Sequence, residues 1–214
     1  MMAVKNITIV GNGEDISDEK LILMLKKSDF IIASDGGLNS LSSIDIKPDM
    51  IVGDLDSARP EILDRYRDIE TVKFPPEKDL TDSELAIKKA LELNPETITL
   101  FGMTGSYIDH SLANINLLVK YSDNSVEINL VNRNSTVFIV KNHRIFTGMK
   151  GRRISLFPVT PVPGLKLSGF RYVFEKIDLG TEDYSISNVI SENNAEINFN
   201  EGKIVCIVFD EGYD

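Results

Sequence analysis

The sequence predicts an α/β sheet domain followed by an all-β sandwich domain, and three observations carry that expectation. Up to about residue 133, short β-rich runs alternate with helical stretches. From Ser135 onward, strand-like segments follow one another between Gly, Pro, Asn and Asp, with no helix-length period among them. Across the 214 residues the apolar content is 42%, enough for each part to build a core.

In chain order, the first part contains ITIV at 7–10, FIIAS at 30–34, MIVG at 50–53, TVKF at 71–74 and TITLFG at 97–102. Runs of this kind separated by helices form a layered α/β sheet. Thr81 followed three residues later by Glu84 has the form of a capping box before SELAIKKALEL. Another helix is expected from about Asp109, with Ile108, Leu112, Ile115 and Val119 on one face. In the second part TVFIV, RISLF, LKLSGF, YVFEKI, ISNVI, AEINF and KIVCIVF read as strands of a small sandwich. The boundary is expected near residue 134, giving domains 1–134 and 135–214. Roughly 80 residues make a modest core, so support from the first domain or a second subunit is expected.

Lys and Arg number 23 against 33 Asp and Glu, for a formal charge of -10. That balance argues against nucleic acid and anionic membrane as partners. Carboxylates are, however, the hard oxygen ligands that hold Mg²⁺ against a phosphorylated substrate. One cysteine, Cys206, cannot form an internal disulfide, and with only His110 and His143 beside it a structural zinc site is out of reach. Ile7 to Val10 is too short for a signal-peptide core, and no apolar run approaches the roughly 20 residues that cross a bilayer. A reducing, cytoplasmic location is expected.

The chemistry-bearing residues fall just after the predicted strands, where open α/β sheets place their ligand crevice. Asp35-Gly36-Gly37 follows FIIAS, and paired glycines let backbone amides approach a phosphate, although Asp-Gly-Gly is also an ordinary turn. Gly53-Asp54-Leu55-Asp56 follows MIV. On an extended backbone the two acids point one way and Leu55 the other, and two such carboxylates repel unless a cation sits between them. A solvated loop capping the next helix is the competing account.

In Glu77-Lys78-Asp79-Leu80-Thr81-Asp82-Ser83-Glu84, the helix dipole accounts for Asp82 and Glu84 but leaves Lys78 and Asp79 unexplained. Pro75 and Pro76 stiffen the chain ahead of them, so Asp79 could complete a metal site with Asp54 and Asp56 while Lys78 met a phosphate. Gly102 to His110 runs into a helix and offers an anion site of small residues, with His110 beside Asp109 able to orient a ligand. Gly11-Asn12-Gly13 does not make a dinucleotide fingerprint, because Ile16 stands at the third glycine's position.

In order and spacing SDGG, PDMIVGDLDS, EKDLTDSELA and GMTGSYIDHSLANINLL resemble the thiamine pyrophosphokinase family, and the likeness continues through SLFP at 155–158, Gly164-Leu165 and Ser187-Asn188. The resemblance implies a Rossmann-like N-terminal domain, a C-terminal β-sandwich, and a homodimer whose active sites lie between subunits. It implies that Asp54, Asp56 and Asp79 are Mg²⁺-linked acids with Asp82 nearby, and that Asp35, Gly36, Gly37, Thr104, Gly105 and Asp109 line the nucleotide side. Ser187 and Asn188 resemble the motif that contacts thiamine. The family usually has Arg where Tyr107 stands and Glu where Val189 stands, and with no Trp in the chain any stacking on thiamine falls to Tyr or Phe.

The activity so implied moves a diphosphate from ATP to the thiamine hydroxyl, giving AMP. This asks for charge neutralisation and alignment more than for covalent work by the protein. Lys78 is the local cation for charge on the transferred group, and Asp79 or Asp82 is the acceptor for the hydroxyl proton. A Mg²⁺-dependent phosphohydrolase and a non-catalytic nucleotide or thiamine sensor are the alternatives.

Overall fold

The computed structural model describes residues 4–14, 17–73, 80–105 and 107–211. The chain divides into two compact units, Met1–Arg133 and Asn134–Asp214.

The first unit holds strands β1 (Asn6–Val10), β2 (Phe30–Ser34), β3 (Met50–Val52), β4 (Glu70–Val72), β5 (Thr97–Phe101) and β6 (Glu127–Val131). Between them run helices α1 (Asp18–Leu25), α2 (Gly37–Ser43), α3 (Pro60–Arg65), α4 (Asp82–Glu92) and α5 (Ile108–Tyr121). The strands pair in parallel in the order β6-β5-β1-β2-β3-β4. Parallel neighbours need crossovers, which the helices supply. From β1 the chain steps outward to β4, then returns to lay β5 and β6 on the other side of β1. The order therefore reverses between β1 and β5, and their C-terminal ends are where such a sheet opens a crevice.

Central strands covered on both faces read as continuous apolar runs. Ile9, Val10, Ile32, Ala33, Leu100 and Phe101 are all sealed from solvent. Val10, Ala33, Ile51 and Phe101 pack with Leu21 and Leu25 of α1 and with Leu38 and Leu41 of α2. Helix α4 packs on β1, β2 and α5.

Two local expectations are corrected. The Thr81 side chain does cap α4, accepting from the Glu84 amide at 3.2 Å. The reciprocal half of the capping box is replaced, because the Glu84 carboxylate turns to α5. There it accepts from Lys120 Nζ at 2.6 Å and from the Tyr121 hydroxyl at 2.8 Å. On α5 the stripe Ile108–Leu112 faces outward, 75% and 61% exposed, while Asn114, Leu117 and Leu118 are buried. Spacing decides which residues share a helix face, not which face the tertiary structure covers. Asn114 takes an inward position because its amide donates to the Met103 carbonyl at 2.7 Å.

The second unit is two antiparallel sheets. One has the order β12-β9-β14-β7, from β12 (Ser185–Val189), β9 (Arg153–Pro158), β14 (Ile204–Phe209) and β7 (Ser135–Val140). The other has the order β11-β10-β13-β8, from β11 (Phe174–Leu179), β10 (Val162–Ser168), β13 (Asn194–Asn198) and β8 (His143–Thr147). Alternate residues of both sheets meet in one core: Phe138, Ile154, Leu156, Ile204 and Cys206 from the first, Phe146, Leu165, Leu167 and Ile197 from the second. Burial pushes the Cys206 thiol up from its ordinary pKa, which marks it as a packing residue.

Strands β6 and β8 were not singled out by hydropathy. In β8 only Phe146 is buried, with Ile145 56% exposed, so its pattern is weak. Among the described residues no helix is long and apolar enough to cross a membrane.

Candidate active site

Three carboxylates converge beyond the ends of β2 and β3. Asp35, Asp54 and Asp56 each offer an oxygen, and the three atoms lie within 4.8 Å of one another. The extended backbone expected at 54–56 is not what brings the pair together. Leu55 has φ 68°, in the left-handed region, and the chain turns there. The Asp56 amide donates to Asp54 Oδ1 at 3.3 Å and the Ala58 amide to the Leu55 carbonyl at 3.3 Å. Leu55 still packs against the core, as anticipated, and that burial helps offset a left-handed cost of about 1–2 kcal/mol. Asn39 of α2 clamps the turn, donating to the Ser57 carbonyl at 3.0 Å and accepting from the Arg59 amide at 3.2 Å.

Asp35 also has a left-handed backbone, φ 47°, which Asp tolerates better than most residues. Its amide donates to the Val52 carbonyl at 2.8 Å, tying β2's end to β3's. Its Oδ1 is buried with no hydrogen-bond partner. An orphaned buried oxygen on a carboxylate that converges with two further carboxylates is costly unless a cation joins them. All the donors are hard oxygens, so the set fits Mg²⁺.

The loops after β1, β2 and β5 interlock backbone against backbone. The Gly11 amide donates to the Phe101 carbonyl at 2.8 Å and the Gly13 amide to the Gly102 carbonyl at 2.6 Å. A side chain at Gly37 would run into the Val10 carbonyl, and one at Gly13 into the Thr104 carbonyl. Gly36 caps α2 and Gly37 opens it. Thr104 Oγ1 donates to Asn132 Oδ1 at 2.7 Å, and Asn132's carbonyl takes Lys20 Nζ at 2.6 Å. Gly105, Asp109 and His110 lie at the exposed start of α5, where the Asp109 carboxylate accepts from the His110 amide at 2.9 Å and the His110 ring sits 5.6 Å from that of Tyr107.

Asp82 opens α4, half-buried. Ser83 Oγ meets Met103 Sδ at 3.2 Å, which brings the start of α4 to the β5 loop. Lys78 and Asp79, with Glu77 and the two prolines, lie outside the described residues. The Gly11-Asn12-Gly13 loop, which lacks a dinucleotide fingerprint, sits against the β2 and β5 loops, and its signal in the sequence is two glycines directly after a strand.

Ser187 and Asn188 sit on β12, an edge strand, where its register with β9 shifts between Ser185 and Asn188. Ser187 has φ 60°. Bulges of this kind re-aim side chains at sheet edges. Asn188 is fully buried, and its carboxamide is engaged by backbone: Oδ1 accepts from the Tyr172 amide at 3.0 Å and the Val189 amide at 2.8 Å, and Nδ2 donates to the Tyr172 carbonyl at 2.8 Å. The group presented beside it is Tyr172, 60% exposed.

Residues 21–130 match the family model described as Thiamin pyrophosphokinase, catalytic domain, and residues 139–204 match that of the Thiamin pyrophosphokinase, vitamin B1 binding domain. The thiamine pyrophosphokinase of Bacillus subtilis is 30% identical over 95% of this chain and 98% of its own length. Thiamine pyrophosphokinase 1 of Arabidopsis thaliana is 30% identical over 69% of this chain, a match spanning 58% of the plant protein. Among solved structures, the Bacillus subtilis thiamine pyrophosphokinase superposes with a TM-score of 0.85 at 28% identity, covering 96% of this chain and 99% of that one. The Geobacillus thermodenitrificans thiamin pyrophosphokinase gives 0.82 at 27% identity, covering 96% and 98%.

Proposed function

The chain belongs to the thiamin pyrophosphokinase family and makes thiamine diphosphate and AMP from thiamine and ATP; on that premise we propose how its residues divide the work. Asp35, Asp54 and Asp56 hold Mg²⁺, and Asp79 joins them. The observation that carries this is the orphaned Asp35 Oδ1 among converging carboxylates. Mg²⁺ bound there neutralises charge on the phosphate chain. The nucleotide lies along the interlocked loops, against Gly36, Gly37, Thr104 and Gly105, with Asp109 and His110 at the rim. Lys78 meets charge developing on the transferred group. Asp82 or Asp79 accepts the hydroxyl proton, so that the oxygen–phosphorus bond forms as the bond from the β-phosphorus to the α-phosphate bridge breaks and AMP leaves.

On the thiamine side Ser187 contacts the substrate and Asn188 acts through Tyr172. The buried carboxamide fixes the tyrosine's backbone, and the exposed ring offers the flat apolar face a thiamine ring stacks on. A homodimer with shared sites is supported by exposed Tyr107, Ile108 and Leu112, at the N-cap and in the first turns of α5. The setting is cytoplasmic, in keeping with a lone buried cysteine.

The test is incubation with thiamine, Mg²⁺ and ATP labelled at the β position. Label entering thiamine diphosphate in equal amount with AMP is the expected result. Label in ADP beside thiamine monophosphate would make the protein an ordinary kinase. Thiamine-independent release as inorganic phosphate or diphosphate would make it a hydrolase, and saturable binding without turnover a sensor.

A further inference from the structure

We infer that Asn12 is a nucleotide-binding residue, its side-chain amide donating to a phosphate oxygen of the nucleotide. The inference rests on the functional reading above and names a residue outside that site set.

Asn12 follows β1, the strand at which the sheet order reverses, and it is exposed where the crevice opens. Backbone bonds hold it on both sides, from the Gly11 amide to Phe101 and from the Gly13 amide to Gly102. Its direction is therefore set by the β5 edge and not by a free loop. The side chain lies across Gly36: a Cβ added there would come within 2.7 Å of both the Asn12 Cγ and Nδ2. The absence of a side chain at Gly36 thus admits the Asn12 carboxamide to the start of the loop that follows β2.

The neighbouring chemistry gives this placement its meaning. Asp35, Asp54 and Asp56 are acceptors only and repel a phosphate oxygen unless a cation intervenes. Asn12 contributes an uncharged N–H donor at Gly36, the residue that follows Asp35, and such a donor can meet a phosphate oxygen directly. A donor to a charged oxygen contributes about 1.5–3 kcal/mol, so losing it weakens binding about tenfold or more.

The experiment measures binding of a non-hydrolysable ATP analogue with Mg²⁺ by titration calorimetry, then KM for ATP and for thiamine, in wild type, Asn12→Ala and Asn12→Asp. Asn12→Ala is expected to weaken analogue binding and raise the ATP KM about tenfold, leaving the thiamine KM within about twofold. Asn12→Asp keeps the shape, loses the donor and adds a fourth carboxylate, so it should bind more weakly than Asn12→Ala. A space-filling role predicts the reverse ranking, with the near-isosteric Asp close to wild type, and that result would overturn the inference. So would an Asn12→Ala protein that melts early and loses affinity for ATP and thiamine alike. Wild type that binds no nucleotide overturns the functional reading along with this one, whereas wild type that binds beside an unaffected Asn12→Asp overturns this one alone.

Discussion

Two groups of carboxylates in the same unit have opposite fates. Glu84 is buried, and its carboxylate is met by Lys120 and the Tyr121 hydroxyl. Asp35, Asp54 and Asp56 face one another, and one buried oxygen among them has no partner. Both groups stand near the starts of helices, so helix dipoles do not separate them. What separates them is compensation. A carboxylate surrounded by donors stabilises the fold and has nothing left to offer a ligand. Carboxylates that converge, with no cationic side chain among them in the described residues and one buried oxygen unmet, cost the fold energy and are left ready for a cation.

Removing charge should therefore move the two groups in opposite directions. The largest effect is expected from Asp54→Asn and Asp56→Asn: AMP formation should fall at least about a hundredfold. The melting temperature should hold or rise, because mutual repulsion is relieved. Mg²⁺ at about ten times its dissociation constant should add about 1.4 kcal/mol to wild-type stability and much less to either variant. Near-normal turnover, or an Asn variant that no longer unfolds cooperatively, would put these acids in Glu84's class.

Glu84→Ala should do the reverse, lowering stability by about 2 kcal/mol in urea unfolding through the abandoned Tyr121 hydroxyl and Lys120. Its ATP KM should stay within about twofold of wild type. A collapse in kcat with unchanged stability would erase the distinction.

The smallest effect is a dependence on pH. Burial alone would raise the Glu84 pKa, but the Lys120 and Tyr121 hydrogen bonds outweigh it and hold the carboxyl below its ordinary 4.5. A depressed carboxylate contributes stability that is complete above 4.5 and fades as pH falls through the lowered native value. For Tyr121, burial first and then its bond to Glu84 push the hydroxyl up from 10.0 to about 12. That contribution is complete below 10.0 and is lost as pH rises through about 12. Glu84→Gln should flatten the acid limb of the unfolding free energy against pH, and Tyr121→Phe the alkaline limb. An unchanged acid limb in Glu84→Gln would mean that the bonds do not hold the carboxylate's charge.

Chain order and local pattern alone determined the alternating and then all-β character of the molecule and the strand-end position of its acidic loops, and the resemblance of its motifs gave the family. The structural features rest on short-range rules: hydrophobic period, glycine at turns, and acids just after strands. Three things needed the tertiary structure. Asp35 joins Asp54 and Asp56 because β2 and β3 are neighbours and Leu55 turns left-handed, whereas an extended strand had been the expectation. Gly11-Asn12-Gly13 reaches the crevice because β1 pairs with β5, a strand nearly ninety residues away in sequence. Asn188 is enclosed by the Tyr172 backbone, and Ile108 and Leu112 of α5 are exposed although the periodicity put them on its apolar face. A sequence window sees the spacing of residues along one element. Which strands become neighbours, and which helix face meets the sheet, is settled by burying the largest apolar area over the whole chain, and no local window contains that competition.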